Sequence, residues 1–281
     1  MTTEILVSDF NNRIARFTSI TGTGWSTFGS WGSGSNEFDS VFGIAIGPSG
    51  DVYIADTANN RVVRLSTTLG GGFTAFGTMG SGVDQFINPN GIAVDAQGKI
   101  YIADTGNNRI VRIDNITGAG WVTLGIQGPG TGEFDGPRDI AVNGSGQIYV
   151  SDQFNSRIVR VNGMNGSGWD TLGTQGSGAN QFDFQGGIGL DANGRVYIAD
   201  PMNGRIARIN DISGDGWITF NVGVGGPEDV AVDSLGRIYY VMGADNVIRR
   251  MESMNGLNLT SFGSAGSGAQ QFDNPIAIAV R

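Results

Sequence analysis

The sequence predicts an all-β chain closed into a ring of six four-stranded blades, a six-bladed β-propeller. Three observations carry this. A block centred on Gly91-Ile-Ala-Val-Asp95 and Ile100-Tyr-Ile-Ala-Asp104 recurs around Asp9, Asp56, Asp104, Asp152 and Asp200, at steps of 47, 48, 48 and 48 residues. A weaker sixth copy follows after 42 residues, with Met242 in place of the aspartate. The third is that the chain opens inside one repeat and ends inside the complementary part of another.

Each repeat contains four short runs of apolar, β-branched and aromatic residues bounded by turn residues, the pattern of half-buried strands. In the third copy, strand a is Gly91 to Val94, strand b Ile100 to Ala103, strand c Arg109 to Ile113 and strand d Trp121 to Leu124. No helix-period stretch of comparable strength occurs. Four strands per period of this length describe a propeller blade.

The chain ends predict how the ring closes. The first run, Ile5-Leu-Val7, is a strand b, and the last, Pro275-Ile-Ala-Ile-Ala-Val-Arg281, is a strand a. Aligning Pro275 with Pro89 puts Arg281 at the place of Asp95, and Met1 then falls at Ala96. The last strand should therefore pair with the first and leave no open edge. Residues 1–281 read as a single propeller domain, with blade one shared between 1–30 and 275–281.

Turn residues fit this arrangement. A glycine recurs between strands a and b at Gly50, Gly98, Gly146, Gly194 and Gly236, suited to the left-handed position of a short hairpin. Strand a carries a small residue at one register in every copy, as in Ala93 and Gly189, where six strands converge on an axis. Glycine totals 48 residues without a three-residue period, which excludes collagen, and 39% hydrophobic content with 15% charged excludes disorder.

Composition also removes chemistry. With no cysteine there are no disulfides, thiol nucleophiles or thiolate-held metals, and with no histidine there is no Ser-His-Asp arrangement or imidazole base. The net charge is −9, with Lys99 the single lysine, a poor endowment for neutralising phosphates, so nucleic acid is not an expected partner. No run approaches the length of a membrane span, and Met1 to Ile5 does not resemble a signal peptide.

These residues resemble the NHL-repeat family of β-propellers, whose pattern is Gly-Ile-Ala-Val-Asp, Ile-Tyr-Val-Ala-Asp and Asn-His-Arg-Ile. Here it stands as Gly91-Ile-Ala-Val-Asp95, Ile100-Tyr-Ile-Ala-Asp104 and Asn107-Asn-Arg-Ile110, preceded by Gly80-Ser-Gly82, Gln85-Phe86 and Pro89. The family's usual histidine is Asn12, Asn60, Asn108, Ser156 and Gly204 here. The resemblance covers essentially the whole chain. It implies a propeller of a kind that includes protein-, RNA- and glycan-binding modules, sensors and some metal-dependent enzymes, so the site must be argued from residues.

The repeated pairs Asp9–Arg13, Asp56–Arg61, Asp104–Arg109, Asp152–Arg157 and Asp200–Arg205 flank the b–c loop and should face each other across the hairpin as structural pairs. Both members change together in the sixth copy, to Met242 and Val247. The series Trp25, Phe73, Trp121, Trp169, Trp217 and Leu259 reads as packing between blades rather than a sugar-stacking ring.

Departures from the repeat are better candidates for a ligand. The b–c and d–a loops share one face, and the d–a loop before blade six is six residues shorter than that before blade four. Beside this notch lie Glu228, Asp229, Tyr240, Met242 and Asp245, and the residue leading into strand a differs in every blade, including Asn90, Arg138 and Glu228. Asn90, Arg138, Asp139, Glu228, Asp229, Tyr240 and Met242 are the expected ligand-binding set at the channel mouth. No residue is expected to be catalytic. Glu228 and Asp229 are the only candidate metal ligands, for Ca²⁺, which takes oxygen donors. The expectation is a monomeric, non-enzymatic binding module for a protein, peptide or glycan. The alternatives are a Ca²⁺-dependent hydrolase or lyase and a purely structural or engineered scaffold.

Overall fold

A computed structural model describes residues 3–66 and 71–281. Its main sheets are six four-stranded antiparallel sheets, each in the order a-b-c-d. Blade three contains Pro89–Val94, Ile100–Asp104, Arg109–Ile113 and Val122–Leu124, and blade six contains Asp229–Val232, Ile238–Met242, Val247–Met251 and Thr260–Phe262. Blade one joins the last strand, Ala277–Val280, to Ile5–Asp9, with Ile5 opposite Val280 and Ser8 opposite Ala277. The ring is closed in the way the chain ends predict.

Strand b is buried along its whole length in every blade. It is covered by the neighbouring blades on both faces, which is why its residues are apolar without polar alternation. Each core cluster draws on two adjacent blades, as where Ile100, Ile102 and Val111 of blade three meet Tyr53 and Val62 of blade two. The a–b glycines take the left-handed conformation, with Gly98 at φ +83° and its N–H donating to the Asp95 carbonyl.

The d–a loops are more regular than their glycine content suggests. Within three of them two-residue segments pair in parallel, Ser30–Trp31 with Glu37–Phe38, Thr78–Met79 with Gln85–Phe86 and Ile126–Gln127 with Glu133–Phe134. The fully buried Phe38, Phe86 and Phe134 plug each loop into the groove between blades. Trp121 packs on Phe86 with centroids 5.3 Å apart and Trp169 on Phe134 at 5.0 Å. The aromatic series is therefore inter-blade packing, except that Leu259 is exposed.

The Asp/Arg pairs hold these loops. Asp104 stands opposite Arg109 and is fully buried. Its carboxylate accepts from Arg109 Nε at 2.7 Å, Asn107 Nδ2 at 2.9 Å and the Ile87 N–H at 2.8 Å. Arg109 then donates to the carbonyls of Ser81, Gly82 and Gln85 in the preceding d–a loop. Blades two, four and five repeat this arrangement, and in blade one Arg13 donates to Asp9 and to the carbonyls of Ser267 and Gln271. In blade six Met242 faces Val247 in the same place, and Arg249 instead pairs with Asp245 at 2.9 Å and donates to Val222.

Candidate functional site

Strand a of every blade lines the central channel, which encloses a cavity of about 210 Å³ opening among Asn90, Arg138, Asp139, Glu228, Asp229 and Ile276. The walls below are aliphatic, with Ile44, Ile92, Ile140, Ile188, Val230 and Ile278. Five of the seven sequence-derived candidates are thus brought to one place. Tyr240 and Met242 are not. Both are fully buried in the core between blades five and six, with Tyr197, Ile206 and Met251. They lie on strand b, and strand a stands between strand b and the axis, so a departure from the repeat at those positions changes packing rather than the channel.

Arg138 of blade four and Glu228 of blade six form an ion pair across the mouth, Nη2 to Oε2 at 2.6 Å. They pass over blade five, where Gly186 and Gly187 occupy the equivalent positions. A Cβ on Gly187 would fall on Asp229 Oδ1, so the glycine is what admits the carboxylate.

Asp139 and Asp229 replace the glycine or alanine found at this register elsewhere, namely Gly43, Gly91, Gly187 and Ala277. Each reaches to the next blade. Asp139 Oδ2 accepts the Ile188 N–H at 2.7 Å, and Asp229 Oδ2 accepts the Ile278 N–H at 2.8 Å while Oδ1 accepts the Val230 N–H at 2.7 Å. Burial pushes the Asp139 carboxyl up to about 6, against the pull of the Ile188 and Ile140 N–H groups and the Arg138 charge. Burial likewise holds Asp229 well above the usual carboxylate value, and the nearby Asp139 charge adds to it.

As a metal centre the arrangement is thin. Glu228 is committed to Arg138 and both Asp229 oxygens accept backbone N–H groups. Among the described residues no three acidic side chains converge as a metal-ligand group. Calcium prefers six to eight oxygen donors.

Sequence reasoning missed the apolar side chains that the loops leave exposed. Of the fourteen large exposed hydrophobics among the described residues, nine belong to b–c or d–a loops. Trp31 (72% exposed) and Met79 (71%) sit in the outer parts of the d–a loops. Phe10, Phe154, Phe184 and Met202 lie nearer the axis, on b–c loops or leading into strand a, and Phe154 packs edge-on against Phe184 at 5.3 Å. The signal was present as apolar residues in columns that are polar in other copies, such as Trp31 and Met79 against Gln127 and Gln175.

No curated protein matches the chain. Among solved structures, one in the nidogen/laminin complex superposes with a TM-score of 0.78 at 19% identity, covering 99% of this chain and 98% of that one. A streptogramin B lyase gives 0.66 at 15% identity, covering 98% and 82%. A catalytically inactive histidine-to-alanine variant of virginiamycin B lyase from Staphylococcus aureus, with quinupristin, gives 0.63 at 18%, covering 92% and 84%. These likenesses establish fold alone. Residues 42–65 and 86–113 match the family model described as NHL repeat. The chain is therefore a six-bladed β-propeller in which blades two and three match the NHL repeat.

Proposed function

We propose that this propeller is a protein- or peptide-binding module rather than an enzyme, and that its site is the face of b–c and d–a loops around the channel mouth. The observation that carries this reading is the gathering of exposed apolar side chains on that one loop set, where nine of fourteen lie. Apolar groups left in water on variable loops of a rigid scaffold are the ordinary raw material of recognition. The lyases of similar fold suggest channel chemistry as the competing reading. The variant of one of them is inactive with a histidine changed to alanine, and this chain has no histidine. The channel carboxylates are engaged by Arg138 and by backbone N–H groups, which supports a structural and electrostatic role for them.

A peptide and glycan array probed with the wild type, with Phe154→Ser plus Met202→Ser and with Arg138→Ala plus Glu228→Ala tests this. Peptides whose signal falls in either variant, at unchanged melting temperature, support the reading, and binding confined to glycans overturns it. Binders indifferent to both variants, or a melting temperature raised by ~1 mM Ca²⁺ and lowered by chelator, overturn it.

A further inference from the structure

The partner's chemistry is written in where the charge sits. Sixteen of the twenty-six acidic side chains, but seven of the seventeen basic ones, belong to the b–c and d–a loops and the strand ends that carry them. The a–b and c–d set holds ten of each, so the whole formal excess of −9 lies in one loop set.

The seven basic groups there are all engaged. Five are the arginines stapled to buried aspartates and loop carbonyls, Arg138 pairs with Glu228, and Arg249 pairs with Asp245. Asp39, Asp135, Asp183 and Asp273, by contrast, have no cationic partner among the described residues. They form part of a ring beside the b–c loops. The Phe10 N–H donates to the Asp273 carbonyl at 2.7 Å and the Phe154 N–H to the Asp135 carbonyl at 3.0 Å, while Phe184 follows Asp183 directly. Exposed aromatics and aspartates without a cationic partner are therefore backbone neighbours on this loop face.

Resting on the reading above, we infer that this face docks a basic, apolar segment of a partner protein, its Lys or Arg groups meeting the ring of free aspartates while its apolar side chains cover Phe10, Phe154, Phe184 and Met202. The complementarity is one-sided: among the described residues no free cation remains on this loop set to receive an anionic partner, so acidic peptides and nucleic acid are repelled.

The test uses three fluorescently labelled dodecapeptides of repeating Lys-Leu-Ser, Glu-Leu-Ser and Lys-Ser-Ser, titrated by anisotropy at two salt concentrations. The Lys-Leu-Ser peptide should bind best and weaken as salt rises. Asp135→Asn plus Asp183→Asn plus Asp273→Asn should weaken it by about tenfold or more and flatten the salt dependence. Removing the same charge from the c–d loops, with Asp114→Asn plus Asp215→Asn plus Glu252→Gln, should leave it unchanged. Equal loss in both triple variants would mean attraction to net charge alone and would overturn the inference, as would tighter binding of Glu-Leu-Ser. Binding that depends on Phe154→Ser plus Met202→Ser but not on the aspartates would refute the basic partner and leave the binding face standing. Binding insensitive to every variant on this face would sink both.

Discussion

In blade three the Asp104–Arg109 pair can be exchanged for the pair that blade six uses, Met242 and Val247, and the energetics of that exchange are readable from the structure. Asp104→Met alone removes a fully buried carboxylate and strands the Ile87 N–H, Asn107 Nδ2 and the inward side of the Arg109 guanidinium. Leaving a largely buried charge without its partner costs about 3–5 kcal/mol. Arg109→Val alone leaves the carboxylate with two donors but frees the carbonyls of Ser81, Gly82 and Gln85, at about 2–4 kcal/mol. With both replaced, no uncompensated charge remains and the freed loop carbonyls lie near solvent, so the double variant should cost only about 3 kcal/mol. The cycle then returns a coupling of roughly 2–6 kcal/mol. Urea denaturation of the four proteins, read by tryptophan fluorescence, measures it, and unchanged m-values confirm that the same unit unfolds. Costs that add within about 0.5 kcal/mol would show that aspartate and arginine act independently, and the staple described for five blades would be wrong.

Two further outcomes follow from the channel. Asp139 titrates near 6 in the fold against 3.8 for an ordinary aspartate, so its protonated form is favoured in the fold. Its contribution to stability is full below the unfolded value and is lost as pH rises through about 6, at most about 3 kcal/mol and shared with Asp229. Asp139→Asn keeps an acceptor for the Ile188 N–H and escapes that loss, so relative to wild type it should gain stability between about pH 4 and pH 8 in denaturant titrations. A difference independent of pH would refute the assignment. Gly187→Ala places a methyl on Asp229 Oδ1 and should destabilise by about 2 kcal/mol or more, and the loss should shrink when combined with Asp229→Gly; full persistence would locate the strain elsewhere.

The blades, their strands and the closing pair were legible because a repeat samples each position six times: one ambiguous apolar run means little, but six in register with a hairpin glycine mean a strand. The same redundancy exposed the Asp/Arg pairs through their joint loss at Met242 and Val247. It failed for Tyr240 and Met242 for a physical reason. Departure from the repeat says that a position is released from the common constraint, but only strand a faces the axis, and both residues sit one strand outward in the core. It could not show that Asp139 and Asp229 reach the N–H groups of Ile188 and Ile278, since those contacts join neighbouring blades whose separation no local pattern encodes. Nor could it show that the d–a loops hold parallel pairs, because their strand-forming residues number two at a time.

The placement of charge says more than its total. Taken as one number, −9 says only that nucleic acid is a poor partner. Once each acidic and basic residue is assigned to a strand end, the same residues divide into a neutral loop set and one that carries the entire excess. A stable ring does not require this. The arginine staples are neutral pairs and add nothing to the imbalance, and Asp39, Asp135, Asp183 and Asp273 make their loop contacts chiefly through backbone atoms, so uncharged residues there would serve the fold as well. Clustered like charge weakens a folded chain through self-repulsion. Its coincidence with the exposed Phe10, Phe154 and Met202 on one loop set is what the proposed basic, apolar partner would account for.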